Sequence, residues 1–181
     1  MPKFVALLRG INVGKAKRVP MADLRALLAE LGYTDTATLL NSGNAVFRAN
    51  QGAPAQHAAN IAAAMLQRLK LDVPVIVKSA RELSAIVGEN TLAEKASNPS
   101  QLLVVFAQDN ASLSALHVVE AAIEPPEQFL VGKNAAYLHC AAGILESKAG
   151  GALLGKAGKT VTTRNWATVL KLQALVGGSG A

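Results

Sequence analysis

The order in which segments of different hydrophobic period follow one another limits this chain to few architectures. Residues 3–9, KFVALLR, read as a first strand. In PMADLRALLAEL, Leu24, Leu27, Leu28 and Leu31 repeat at i, i+3, i+4 and i+7, the apolar face of a helix. Pro20 suits the first turn of that helix, and Gly32 is placed to end it. TATLL and AVFRA are two more strands, joined by the turn chemistry of NSGN at residues 41–44. AQHAANIAAAMLQRL puts Ala58, Ile61, Ala62, Met65 and Leu69 on one helical face, and VPVIVK, residues 73–78, is a further strand.

That order is β-α-β-β-α-β, the split βαβ arrangement of ferredoxin-like domains. Ser79 and Glu82 then form a capping box for a helix bearing Leu83, Ile86 and Val87 and stopping at Gly88. QLLVVFA, residues 101–107, reads as a strand. NASLSALHVVEAAI reads as a helix with Leu116, Val119 and Ile123 inward, and EQFLV and AAYLHC as a hairpin around GKN. Helices are expected around 144–154 and 163–176. The second half is therefore expected to echo the first, ending in a helix rather than a fourth strand. The fold class is α+β: two ferredoxin-like subdomains, the second atypical, with a C-terminal helix. The expected boundaries are 1–78 for the first domain and 79–176 for the second, with 177–181 a flexible tail.

In the split βαβ layout the third strand lies beside the first and runs antiparallel to it. The loop leaving strand 1, RGINVGK, should then lie beside the NSGN turn, since Arg9 ends one strand and Asn44 begins its neighbour. Two polar loops meet there.

Charge adds to this picture. Residues 1–22 carry five basic side chains, Lys3, Arg9, Lys15, Lys17 and Arg18, and no acid. Residues 147–181 carry five more and again no acid, while the stretch between has eight basic and twelve acidic residues. A separation of this kind can create a face that attracts anions. The single Cys140 cannot form an internal disulfide, and five consecutive apolar residues before Arg9 are too few for a secretory signal. A cytoplasmic protein without a membrane segment is the expectation.

No motif names a reaction. GINVGK is one residue short of a phosphate-binding loop and continues into Ala16, GGALLGKA lacks the hydroxyl that would hold magnesium, and the GKT at 158–160 has Leu153 where glycine is required. His57, His117 and His139 have no zinc-like spacing, so neither metal nor cofactor is expected. Ser42 has no base near it in sequence, and a buried Cys140 would behave as a small hydrophobe. The strands lack the exposed aromatics that stack bases in RNA-recognition domains. The basic KAKR loop can attract phosphate but cannot read a base sequence.

LLRGINVG (7–14), NSGNAVF (41–47) and TTRNWATVLKL (162–172), in this order, resemble the domain of unknown function 1697 family. The resemblance implies a double ferredoxin-like fold in bacterial cytoplasmic proteins, and no activity. Its motif residues fall on Arg9, Gly10, Asn12, Gly14, Ser42, Gly43, Asn44, Arg164, Asn165 and Trp166. Lys15 stands where members commonly have a second glycine. In the third motif, Thr162 or Thr163 can cap the final helix, leaving amides that would join Arg164 in an anion site. Alternatively Trp166 packs on the core with Val169, Leu172 and Val176, and Arg164 and Asn165 only secure the cap.

The leading expectation is a protein that binds a small anionic ligand or nucleic acid, a nucleotide or nucleic-acid phosphate, at the Arg9/Asn12/Asn44 end of the first domain. One alternative is an enzyme on a small phosphorylated or carboxylated substrate using Ser42, Asn12 and Arg164. Another is a structural or interaction protein with no ligand. Oligomeric state is not legible.

Overall fold

A computed structural model describes residues 1–15 and 17–177. It divides the chain into two compact units, one formed by residues 1–81 with the chain from Leu172 onward, the other by residues 82–171. Of the expected tail, 177–181, Gly177 is the last residue of the final helix, and 178–181 lie outside the described residues.

The first unit runs β1 (Lys3–Leu8), α1 (Met21–Glu30), β2 (Thr34–Leu39), β3 (Asn44–Arg48), α2 (Pro54–Leu69), β4 (Val75–Ser79). Its four strands lie in the order β2-β3-β1-β4, every neighbour antiparallel. This is the split βαβ arrangement. Gly32 ends α1 as the sequence implies: Tyr33 N–H reaches back to Leu28 O at 3.2 Å, and Gly32 takes a φ of +84° that favours glycine. Phe4, Ala6 and Leu8 of β1, Leu24 and Leu28 of α1, and Ile61 and Met65 of α2 share one core.

At one end of that core Tyr33 stacks on Phe47 at 4.3 Å, and the buried His57 ring meets Phe4, Phe47 and Tyr33 edge-on. His57 Nδ1 and Tyr33 OH share a hydrogen bond of 2.9 Å. Burial pushes the His57 pKa down, opposed by a hydrogen bond at Gly52. The folded state thus binds this proton less readily than the unfolded chain does, so stability rises with pH between the folded value and the ordinary ~6.5. We expect thermal midpoints to fall as pH drops below that value. The fall should be smaller in His57→Phe, and parallel pH profiles for the two proteins would refute the assignment.

The second unit contains β5 (Leu102–Ala107), α4 (Asn110–Ser114), β6 (Gln128–Val131), β7 (Ala136–His139), α5 (Lys148–Leu154) and β8 (Val161–Asn165), with strand order β6-β7-β5-β8. Helix α3 (Ala80–Glu89) leads into it and α6 (Trp166–Gly177) leaves it. All three strand pairs are antiparallel. Leu103, Val105, Leu116, Val119, Leu138, Leu153 and Val161 form its core.

Three expectations are corrected here. The helix expected over 110–123 is a short α4 followed by a 3₁₀ segment, Ala115–Ala122. Leu116 and Val119 are both buried, and a three-residue repeat keeps such i, i+3 pairs on one face. The helix expected from 144 starts at Lys148, where Ser147 Oγ accepts the Gly150 N–H at 2.9 Å. Most consequentially, Val161–Asn165 is a fourth strand, so the second unit does not pass straight into its final helix. β-Branched Val161, Thr162 and Thr163 favour an extended backbone, and hydrogen bonding to β5 outweighs their capping chemistry. Neither threonine caps α6. Asn165 does, its Oδ1 accepting the Thr168 N–H at 2.9 Å.

Candidate functional site

The register of the first sheet brings the two polar loops together. Leu7 pairs with Asn44, and Leu8 N–H donates to Gly43 O at 2.8 Å. Immediately after β1 the chain turns through Gly10 (φ +70°) and buries Ile11 fully, which roots the loop in the core. The loop then closes on itself. Ile11 bridges Lys17, and Asn12 N–H donates to Lys17 O at 2.8 Å.

Asn12 sits at φ +55°, a conformation asparagine tolerates better than most residues. Its Nδ2 donates to Val19 O and to Asn41 O, both at 2.8 Å, and its Oδ1 accepts the Val19 N–H at 2.8 Å. One side chain thus closes the base of the 10–19 loop and ties it to the β2–β3 turn. Asn44 performs a similar task within that turn. It is fully buried, and its Nδ2 donates to Leu39 O and to Ser42 Oγ, each at 2.9 Å. Ser42 Oγ, for which the sequence offers no nearby base, is an acceptor in this turn.

What the loop presents outward is positive. Lys15, Lys17 and Arg18 are exposed. Arg18 Nη2 donates to Gly14 O at 2.7 Å, and Lys17 Nζ donates to Asp72 O. Arg9 is half-buried, and burial lowers its pKa from the usual guanidinium value. Between the loop and the turn lies an open cavity of about 300 Å³ lined by Asn12, Arg18, Val19, Pro20, Met21 and Asn41. It lies at the N-terminus of α1. There Pro20 O accepts the amides of Asp23 (3.0 Å) and Leu24 (3.2 Å), while those of Met21 and Ala22 have no acceptor among the described residues. Asp23, the nearest acid in sequence, lines a different depression with Glu30 and Arg68.

The structure therefore gathers Arg9, Gly10, Asn12, Gly14, Lys15, Ser42, Gly43 and Asn44 at one end of the first sheet. Arg164, Asn165 and Trp166 of the third motif belong to the second unit. Arg164 lies in β8, paired with Val104 and buried, its Nη1 donating to Thr162 Oγ1 (2.8 Å) and Thr163 O (2.7 Å). Burial pushes its pKa down to about 10. Trp166 opens α6 half-buried, while Val169, Leu172 and Val176 are buried. Sequence reasoning singled out the asparagines and passed over Met21 and Asn41. The signal available for Met21 was Pro20, which marks a helix start beside the basic loop.

A family model for a protein of unknown function, DUF1697, matches residues 1–137. The chain belongs to the DUF1697 family. The matched residues of this DUF1697 protein include both loops of the cavity and end before Arg164. It is similar to a solved structure of a conserved bacterial protein from Streptococcus pneumoniae, with a TM-score of 0.80 and 22% identity over 97% of this chain and 98% of the other. At that identity the likeness is one of fold. No curated protein matches the chain. Among the described residues no helix is long and apolar enough to cross a membrane, and no three His, Cys, Asp or Glu side chains are grouped to hold a metal ion.

Proposed function

We propose that the first unit of this DUF1697 protein binds an anionic ligand, the phosphate of a nucleotide or nucleic acid, in the cavity between the 9–19 loop and the β2–β3 turn, in the cytoplasm. The observation that carries this reading is Arg18 beside the N-terminal amides of α1 on one open cavity. Helix N-termini favour negative charge, and Met21 and Ala22 have amides to donate. The roles divide between two sets of residues. Asn12 and Asn44, saturated by backbone and turn partners, hold the loop, while Arg18, Lys15 and the amides meet the ligand. Arg9 adds charge from the end of β1.

The same saturation of Asn12 and Asn44 is the specific support for a second reading, in which the motifs keep loop geometry and bind nothing. Titration of the full-length protein with ATP and with a labelled single-stranded oligonucleotide separates the two. On the binding reading, oligonucleotide affinity falls steeply with salt, and Arg18→Glu weakens both ligands by at least about tenfold at ~50 mM salt. Saturable binding that Arg18→Glu leaves unchanged, or no binding at low salt, rules the site out.

A further inference from the structure

We propose that the second unit accepts a basic peptide in extended conformation, added as a strand to the free edge of β6, with a lysine or arginine side chain entering an acidic cavity beside it. β6 is the outer strand of its sheet. Gly132 N–H donates to Ala135 O at 2.8 Å, and the register continues as Val131↔Ala136, Leu130↔Tyr137 and Phe129↔Leu138. Hydrogen-bonded and open pairs alternate along an antiparallel ladder. The amide and carbonyl of Leu130 therefore face β7, and those of Phe129 and Val131 face away from it. Among the described residues neither outward set has a partner.

This edge is held in a fixed register. The Glu89 carboxylate accepts the amides of Lys133 (2.5 Å) and Asn134 (3.1 Å) and the Tyr137 hydroxyl (2.8 Å), anchoring the turn between β6 and β7. Alongside β6 lies an open cavity of about 430 Å³, with Leu92, Ile123 and Phe129 as apolar wall and Glu120 and Glu127 as its acids. Glu127 Oε2 is buried with no hydrogen-bond partner among the described residues. Glu120 Oε1 lies 2.8 Å from Nδ1 of the exposed His117, its one ion-pair contact among the described residues.

The surroundings select the sign of the ligand. From Glu82 to Val131 the chain has seven acidic residues and a single basic one, Lys95, against a net charge of +6 for the whole; Lys133 follows β6 and Lys148 pairs with Glu124, which leaves Glu120 and Glu127 as the acids of the cavity. An exposed strand edge supplies main-chain hydrogen bonds for an added strand, and a pocket beside it reads alternate side chains. An apolar wall suits the methylene stem of lysine or arginine, and the carboxylates suit its head. The proposal concerns the second unit and is independent of the anion site.

The test titrates the full-length protein with a blocked heptapeptide of alternating threonine and valine carrying a central lysine. Two controls replace that lysine by glutamate or N-methylate alternate backbone amides. The expected result is saturable binding of the lysine peptide, with Phe129 and Val131 amide resonances shifting. Both controls and Glu127→Gln should bind at least about tenfold more weakly. The controls alter only the peptide, so they hold even if Glu127→Gln fails to fold. No saturable binding, or equal binding of the glutamate peptide, overturns the proposal. So does undiminished binding of the N-methylated peptide, which would mean a free cation in the cavity rather than an added strand.

Discussion

Gly43→Ala is expected to lower stability by about 2–5 kcal/mol, a fall in melting temperature of roughly 2–4 °C for each of those kcal/mol. Two effects combine at this position. Gly43 takes a φ of +93°, a conformation L side chains rarely adopt, and an added Cβ would lie 2.8 Å from Leu8 Cβ and 2.9 Å from Ile11 Cδ1. Both neighbours are fully buried, so neither can swing into solvent. The backbone would have to give instead, carrying away the Gly43 carbonyl that accepts Leu8 N–H. Gly10 and Gly14 provide an internal control. Each has positive φ but nothing within 4 Å of its would-be Cβ, so Gly10→Ala and Gly14→Ala should cost only the backbone strain, about 1 kcal/mol. Thermal unfolding of the three variants checks this. Equal losses at all three positions would mean that close packing at Gly43 is not what requires glycine there.

Asn44→Asp is expected to be nearly as severe, at about 3–5 kcal/mol near neutral pH. The substitution preserves shape but replaces an Nδ2 that donates to Leu39 O and Ser42 Oγ by a carboxylate oxygen. A buried negative charge would then face a carbonyl. Burial raises the pKa of such a carboxyl, so its penalty grows as pH rises above the ordinary carboxylate range and recedes in acid. Asn44→Ala removes the donor without adding charge and should cost about 1–3 kcal/mol, with no such pH dependence. Unfolding by urea at pH 5 and pH 8 distinguishes them. If Asn44→Asp is no more pH-sensitive than Asn44→Ala, Asn44 does not occupy a dry, fully used position.

The first unit was legible in the sequence because its signals agree. Leucine spacing, the Pro20 and Gly32 boundaries and the NSGN turn all specify the same elements, and sheet order then places the loop after β1 beside that turn, with Leu7 opposite Asn44. β8 was not, because Thr162 and Thr163 are equally at home capping a helix or extending a strand. Only pairing with Val105 and Phe106, some sixty residues earlier, decides between the two. The meeting of the two loops was legible; the roles of their side chains were not. Asparagine beside glycine and arginine suggests contact with a ligand, but whether its amide is free depends on carbonyls that folding brings close, such as Asn41 O and Leu39 O. Arg164 is a similar case. Its motif suggested a helix cap, yet its guanidinium is buried in a strand against Thr162 and Thr163.

The most direct test of the central claim, that phosphate is held between the first loop and the β2–β3 turn, is an amide-resolved NMR titration of the full-length protein with ATP. The account predicts that the largest shifts fall on residues 10–22 and 41–43, disappear in Arg18→Glu, and shrink when salt is raised to about 0.5 M. Shifts centred elsewhere in the chain, or shifts at these amides that persist in Arg18→Glu, would contradict it.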